Sequence, residues 1–221
     1  MKDVTRNAPA KTLGSNRDLV CAVAWQALSV ITGLIASRAI IADRLVPFGL
    51  SLIAGIPAAY APAAATGVFL GYFITPLESG TFRYTTAVLA IIALRLLASL
   101  SEKLSKKRLL PTAICLFSSL LTSFLTLRLF NPEITDIFTD ACLAAGGAYF
   151  ISSFFKDYSE ISVCLSADGL VSLFAFLGII LTGLHPFTYG GISVGHIAAL
   201  ALILTAAKYG GVLSGAVSGV T

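Results

Sequence analysis

Charged residues are scarce in this chain. Of its 221 residues only 12% are Asp, Glu, Lys or Arg, about half the share found in soluble domains. Hydrophobic residues make up 57%, and the mean hydropathy is +0.89. The longest polar piece is the N-terminal arm, residues 1–18, so no stretch is polar enough to fold alone in water. This composition predicts an integral membrane protein.

Residues that bind metals or perform catalysis are also few. Four cysteines stand singly in apolar segments, and neither histidine is near a carboxylate cluster: Cys21, Cys115, Cys142, Cys164, His185 and His196. No cysteine pair has metal-ligand or redox spacing, so we expect the cysteines to act as small apolar side chains. The sequence also has no Ser/His/Asp arrangement and no phosphate-binding glycine loop. We therefore predict no catalytic residue, no cofactor and no metal. The net charge of +4 does not indicate a nucleic-acid partner, because the distribution of Lys and Arg described below has another explanation.

What the chain does contain is a series of apolar runs, and two of them, residues 45–60 and 61–75, are unusually short. As helices they would reach roughly 22–24 Å, against a hydrocarbon core of about 30 Å. Pro47, Pro57 and Pro62 interrupt the pair, and proline removes a helical hydrogen bond. The pair either crosses the membrane fully or forms a re-entrant hairpin.

Small residues recur every four positions in this short pair. In lipid, such a stripe lets helix backbones approach closely. It indicates either plain packing or a broken hairpin that lines a site or an assembly surface, with self-association as a further expectation. The packing positions are Ser51, Gly55 and Ala59 on the first helix, and Ala63, Gly67 and Gly71 on the second.

The other apolar runs are predicted to be helices, because lipid cannot satisfy the open edges of strands. They cover residues 19–36, 82–100, 110–130, 134–154, 167–184, 192–208 and 209–221. The predicted fold class is therefore all-α: a polytopic helical membrane protein with about nine apolar segments.

The distribution of Lys and Arg predicts the orientation. With the N-terminus in the cytoplasm, ten basic residues fall on the cytoplasmic side and four on the outer side, as the positive-inside rule requires. The loop 101–109 gives the strongest single signal, through Lys103, Lys106, Lys107 and Arg108. The same cluster could attract anionic lipid.

A weak internal repeat runs at an offset of 148 residues. At this offset Gly211, Gly215 and Gly219 reproduce the spacing of the earlier stripe, and residues 167–184 overlay residues 19–36. We therefore divide the chain into a basic arm (1–18), a first helical unit of about six segments (19–154) and the start of a second unit (155–221), which we expect to be incomplete.

One charge lies inside a predicted span. Arg95 is about five residues from the cytoplasmic end of its run, where an arginine is either functional or snorkels to the surface. Asp168, near the same face, is a possible partner. Arg38 and Arg44, with Asp43 between them, flank the short pair on its outer side and are expected to anchor it at the interface.

Several short motifs together resemble the N-terminal membrane region of the stage II sporulation protein E family. They are Ser37-Arg38-Ala39, then Pro47-Phe48-Gly49-Leu50, then Gly67-xxx-Gly71-Tyr72, and later the run 192–198 that leads into Gly210-Gly211 and Gly215. Arg38, Pro47, Phe48 and Gly49 are thus candidates for a family-specific motif. Their order and spacing, over most of the chain from residue 19, carry the resemblance.

This resemblance implies a bacterial cell-membrane protein of endospore formation. In the family, about ten membrane helices precede a regulatory segment, which engages the tubulin-like division protein, and a metal-dependent serine phosphatase domain. The phosphatase acts on an anti-sigma-factor antagonist at the asymmetric division septum. No carboxylates here are arranged to hold paired metal ions, so only the anchoring role transfers. Cell-division partners would bind through regions outside this chain.

The alternative is a small-solute transporter or channel. Short helices interrupted by Pro or Gly and repeated in two halves are also typical of a transport site. Against transport, the spans contain few polar side chains besides Arg95 and scattered Ser and Thr, and the second short pair lacks the prolines of the first.

Overall fold

A computed structural model describes residues 15–41, 44–74, 79–100, 107, 109–130, 133–159 and 167–220. Within this part of the chain there are eight helices: α1 Ser15–Ser37, α2 Phe48–Gly55, α3 Ala61–Ile74, α4 Ser79–Ser99, α5 Leu110–Phe130, α6 Ile134–Ser159, α7 Ala167–Leu184 and α8 Val194–Val220. The predicted helical membrane fold is confirmed.

Four helices are long and apolar enough to cross a membrane, over Leu19–Ser37, Thr81–Ser99, Leu110–Leu127 and Ile134–Lys156. In the most apolar 18-residue stretch of each helix, between 17% and 50% is buried inside the protein. The remaining surface carries large apolar side chains such as Leu89, Leu96 and Phe117. Because such a surface is unfavourable in water, these outward faces are suited to lipid.

Two short antiparallel hairpins interrupt the helices, and sequence reasoning did not anticipate them. Strand β1 (Ile40–Ile41) pairs with β2 (Arg44–Leu45), and β3 (Thr188–Tyr189) pairs with β4 (Ile192–Ser193). In the second hairpin the turn is Gly190-Gly191, with φ of 61° and 83°. Two glycines at positive φ are the signature of a two-residue hairpin turn, and this signal was present in the sequence.

The two hairpins lie at the offset of the predicted repeat. Ile40 pairs with Leu45, and the residues 148 positions later, Thr188 and Ser193, pair in the same register. The flanking backbone bonds repeat as well: Val46 N donates to Ala39 O at 2.9 Å, and Val194 N donates to Phe187 O at 2.7 Å. The repeated unit is therefore a helix, a hairpin and the start of a second helix.

After the hairpin the two copies differ. The prediction of separate runs over 192–208 and 209–221 is wrong, because α8 is continuous from Val194 to Val220. In the first copy α2 ends at Gly55, just before Pro57. The position equivalent to Pro57 is Thr205, so α8 keeps its backbone donors and does not break.

Helix α2 is the centre of the bundle. All of its residues after Phe48 are buried, and it contacts α1, α3, α4, α5 and α6. Leu50 and Ile53 pack among side chains of α3, α4 and α6, while Leu52 packs towards α1, α6 and α7. The shortest helix thus has the most complete burial.

Helix α3 runs parallel to α1 but covers only part of its length. Trp25 in α1 lies level with Tyr60, just before α3, with ring centroids 6.1 Å apart. At the other end Gly71 lies against Leu34 and Ser37. Trp25 is about 18 Å along the axis from the end of α1. The α2–α3 pair therefore enters and leaves at the end of α1, as the re-entrant alternative requires.

Both β-hairpins lie at this same end of the bundle, which we call the hairpin side. Gly183, at the end of α7, lies against Ile35 near the end of α1. The guanidinium of Arg38 lies over the ring of Phe187, 5.1 Å from its centroid. The end at which α4 finishes, at Ser99, is called the opposite side below.

Candidate functional site

The helical backbone breaks between α2 and α3 inside the bundle. Ile56, the residue before Pro57, is extended, with φ −69° and ψ 149°, as the ring of a following proline favours. Its N–H bonds to Leu52 O at 3.0 Å. A helix end leaves carbonyls without intrahelical partners, and here they lie among buried residues.

Arg95 supplies partners for these carbonyls. Its Nη1 donates to Ile53 O, and its Nη2 donates to Ile56 O at 2.8 Å. A cation at the C-terminal end of a helix also opposes the negative end of the helix dipole. The half-buried guanidinium of α4 therefore caps α2 inside the bundle.

The start of α3 is held from α1. Gln26 Nε2 donates to Ala59 O at 2.9 Å, and Tyr60 N donates to Pro57 O at 3.0 Å to close the turn. Both sides of the break therefore receive hydrogen bonds from side chains of neighbouring helices.

The small residues of α3 face α1. A Cβ atom added at Gly67 would overlap the carbonyl of Val30, and one at Gly71 would overlap the Ser37 side chain. From the other helix, a Cβ at Gly33 would overlap the carbonyl of Ala64. Ala63, by contrast, is only half-buried.

The small residues of α2 face α6 instead. Ser51 Oγ donates to Ala144 O at 2.8 Å, and a Cβ added at Gly147 would lie 2.6 Å from that hydroxyl oxygen. One turn later, a Cβ at Gly55 would lie 2.8 Å from Cβ of Ile151. The predicted stripe is thus divided between two different neighbours, while Ala59 is exposed in the turn.

The motif residues near the first hairpin form the junction between α1, α2 and α3. Pro47 is buried at the N-cap of α2, and Phe48 is half-buried. A Cβ at Gly49 would lie 2.9 Å from the Tyr72 hydroxyl and 3.1 Å from Cα of Ser37. A side chain at position 49 would therefore separate the three helices.

Sequence reasoning missed a buried polar cluster between α4 and α6. The Arg83 guanidinium pairs with the Asp140 carboxylate, and their side chains are 8% and 16% exposed. Tyr84 Oη donates to Asp140 Oδ2 at 2.6 Å and also lies 3.1 Å from Leu45 O in β2. Asp140 lies within the predicted span 134–154, and such a charge is the signal that drew attention to Arg95.

A second ion pair lies at the hairpin side, between Arg44 of β2 and Asp136 of α6. The Arg44 side chain is 68% exposed, so this pair is a surface contact. Together with the buried cluster, it ties the first hairpin to the N-terminal end of α6.

The two histidines come together where α7 meets α8. The rings of His185 and His196 are 5.1 Å apart and nearly perpendicular, and Ser193 Oγ donates to His185 O at 2.9 Å. In the part of the chain that the structure describes, no group of three or more His, Cys, Asp or Glu could hold a metal ion. Cys115 is buried, whereas Cys21 and Cys142 are exposed.

Several predicted residues cannot be placed in this site. Lys103, Lys106, Arg108 and Cys164 lie outside the described residues, and so does the side chain of Asp168. Lys107 is exposed. Gly211, Gly215 and Gly219 lie on α8, but their surroundings are also outside the described part.

Comparison with known proteins identifies a family. The family model described as SpoIIE, N-terminal domain, matches residues 3–221. Comparisons with curated proteins and with solved structures give no significant match. The matched domain is a membrane region, and no phosphatase domain is found in this chain.

Proposed function

This chain belongs to the SpoIIE N-terminal domain family, and from that premise we propose that it anchors a cytoplasmic serine phosphatase in the membrane at the sporulation septum. The chain is a sporulation-associated membrane module. The observation that carries the proposal is the match of the family model over residues 3–221. The closure of the α2–α3 break favours an anchor over a transporter, because the carbonyls exposed there are bound by Arg95 of the same chain.

The mechanism is confinement. A soluble domain tethered to the bilayer meets membrane-bound partners at a higher effective concentration, without any new contact. We further propose that the N-terminus and the loop 101–109 lie in the cytoplasm. Ten basic residues against four support this orientation.

Self-association would strengthen the anchor by clustering the attached domains. The glycines at 211, 215 and 219 have the four-residue spacing that favours close helix contacts in lipid. Division proteins would be engaged through regions outside this chain.

A transporter is the second candidate, favoured by the broken helix pair and the repeated helix–hairpin unit. In many transporters the carbonyls at the ends of half-helices coordinate the coupling cation. Here two such carbonyls accept hydrogen bonds from a guanidinium. The anchor is therefore the better supported function.

The test is a fluorescent protein fused to the C-terminus of the complete membrane region, produced in a sporulating host. The expected result is enrichment of the signal at the asymmetric septum. An unrelated polytopic protein of similar size, with the same fusion, is the control for generic tethering. A uniform membrane signal from both fusions would contradict the localising role.

A further inference from the structure

An elongated cavity of about 650 Å³ lies between α3 and α4. Its walls are apolar and include Pro62, Ala65 and Phe69 from α3, with Leu89 and Ile92 from α4. On α4 the lining extends from Val88 to Ser99, roughly 16 Å along the helix axis. We call this cavity the α3–α4 groove.

The groove opens on the outer surface of the bundle. Phe69, Leu70, Leu89 and Leu96 line it and are each between 39% and 65% exposed. In a bilayer these positions face hydrocarbon, so a lipid chain can enter from the side without passing through the protein.

The positively charged side chain of Arg95 lies at one end of the groove. Arg95 lines it near Ser99, on the opposite side of the bundle from the hairpins. A guanidinium has five N–H donors, and the two bonds to Ile53 O and Ile56 O leave others for a further acceptor.

The charge of Arg95 is not neutralised by these two bonds, because carbonyls are uncharged. Both ion pairs found among the described residues involve other arginines, Arg44 and Arg83. A partly buried cation without a counter-ion is costly in a membrane, so an anion beside it would be stabilised. The sequence that follows α4 adds Lys103, Lys106, Lys107 and Arg108, which would attract anionic headgroups to the same side.

From the apolar groove and the cation at its end, we propose that the α3–α4 groove binds an anionic glycerophospholipid. One acyl chain lies along α3 and α4, and the phosphate pairs with the Arg95 guanidinium. The bound lipid supplies the missing negative charge and covers the flank of the re-entrant pair.

The test measures lipid retained by the purified full chain in detergent, by native mass spectrometry, with phosphatidylglycerol and phosphatidylcholine as competing probes. The wild-type chain should retain phosphatidylglycerol in preference. Arg95→Gln should reduce that preference about fivefold, the effect of about 1 kcal/mol per basic residue, whereas Arg95→Lys should keep most of it.

A second variant tests the groove without changing Arg95, which also caps α2. Thr66 is exposed and lines the groove from α3, so Thr66→Phe fills the groove and leaves Arg95 unchanged. It should lower the retention of both lipids. The matched control is Arg44→Gln, which removes an exposed arginine at the hairpin side and should leave lipid retention unchanged.

Three results would overturn the proposal. The first is equal retention of the two lipids by the wild-type chain, and the second is an unchanged preference in Arg95→Gln. The third is unchanged retention of both lipids by Thr66→Phe, since the retained lipid would then lie outside the α3–α4 groove.

Discussion

Arg83 and Asp140 form the more buried of the two ion pairs among the described residues, and Tyr84 bonds to the same carboxylate. Two opposite charges with little access to solvent are held together with a phenol hydroxyl and the carbonyl of Leu45. The desolvation of a buried pair offsets much of its Coulomb attraction, but removing one partner leaves an uncompensated charge. The cluster therefore fixes the geometry between β2, α4 and α6 more than it adds net stability.

We predict that Arg83→Gln and Asp140→Asn each lower the free energy of unfolding in detergent by about 3–5 kcal/mol. The double variant should be less destabilised than the sum of the two, because the residues interact directly. Arg44→Gln should change stability by no more than about 1 kcal/mol, since its pair is at the surface. Additive losses in the double variant would show that the two side chains are not coupled.

At the scale of elements, α1 and α3 approach each other through glycine. The atoms that meet Gly67 belong to the backbone of Val30, so they cannot move aside as the end of a flexible side chain could. Close contact of this kind replaces the hydrophobic drive between helices, which is weak in lipid.

Gly67→Ala is therefore predicted to lower the free energy of unfolding by about 1–3 kcal/mol, the usual scale for overpacking, and Gly67→Leu by more. Gly178→Ala is the matched control, because a Cβ there meets nothing within 4 Å. Its better helix propensity should stabilise the chain by up to about 1 kcal/mol. Equal melting temperatures of the wild type and Gly67→Ala would mean that the α1–α3 contact is looser than described.

Helices with unbroken apolar runs could be predicted closely from the sequence. The predicted runs 110–130 and 167–184 coincide with α5 and α7, because length and hydropathy alone decide a span. Prolines also predicted a break in the short pair, since Pro57 removes a backbone donor at a known position.

The contacts of Arg95 could not be predicted in the same way. Its acceptors are carbonyls of Ile53 and Ile56, about 40 positions earlier in the chain, and a backbone carbonyl has no signal in the sequence. The sequence also could not show that the small residues of α3 contact α1 while those of α2 contact α6. A four-residue spacing predicts a close helix contact, but it does not identify the neighbouring helix.

For the whole molecule, the orientation that the distribution of Lys and Arg predicts can be tested by labelling. In a cysteine-free background, Ser105→Cys should react with an impermeant thiol reagent only after the cells are permeabilised. Thr188→Cys, in the exposed part of β3, should react in intact cells, because the hairpin side is expected to face outward. The reverse pattern would invert the proposed topology.

We infer that the break inside the bundle is closed by the chain itself and that the chain therefore conducts no ions. The most direct measurement is ion and proton flux through liposomes that contain the purified chain. We predict flux equal to that of protein-free liposomes, because Arg95 binds the carbonyls that a cation would need. A saturable flux in the wild-type chain that Arg95→Lys or Gly67→Ala alters would contradict this account and favour a transporter.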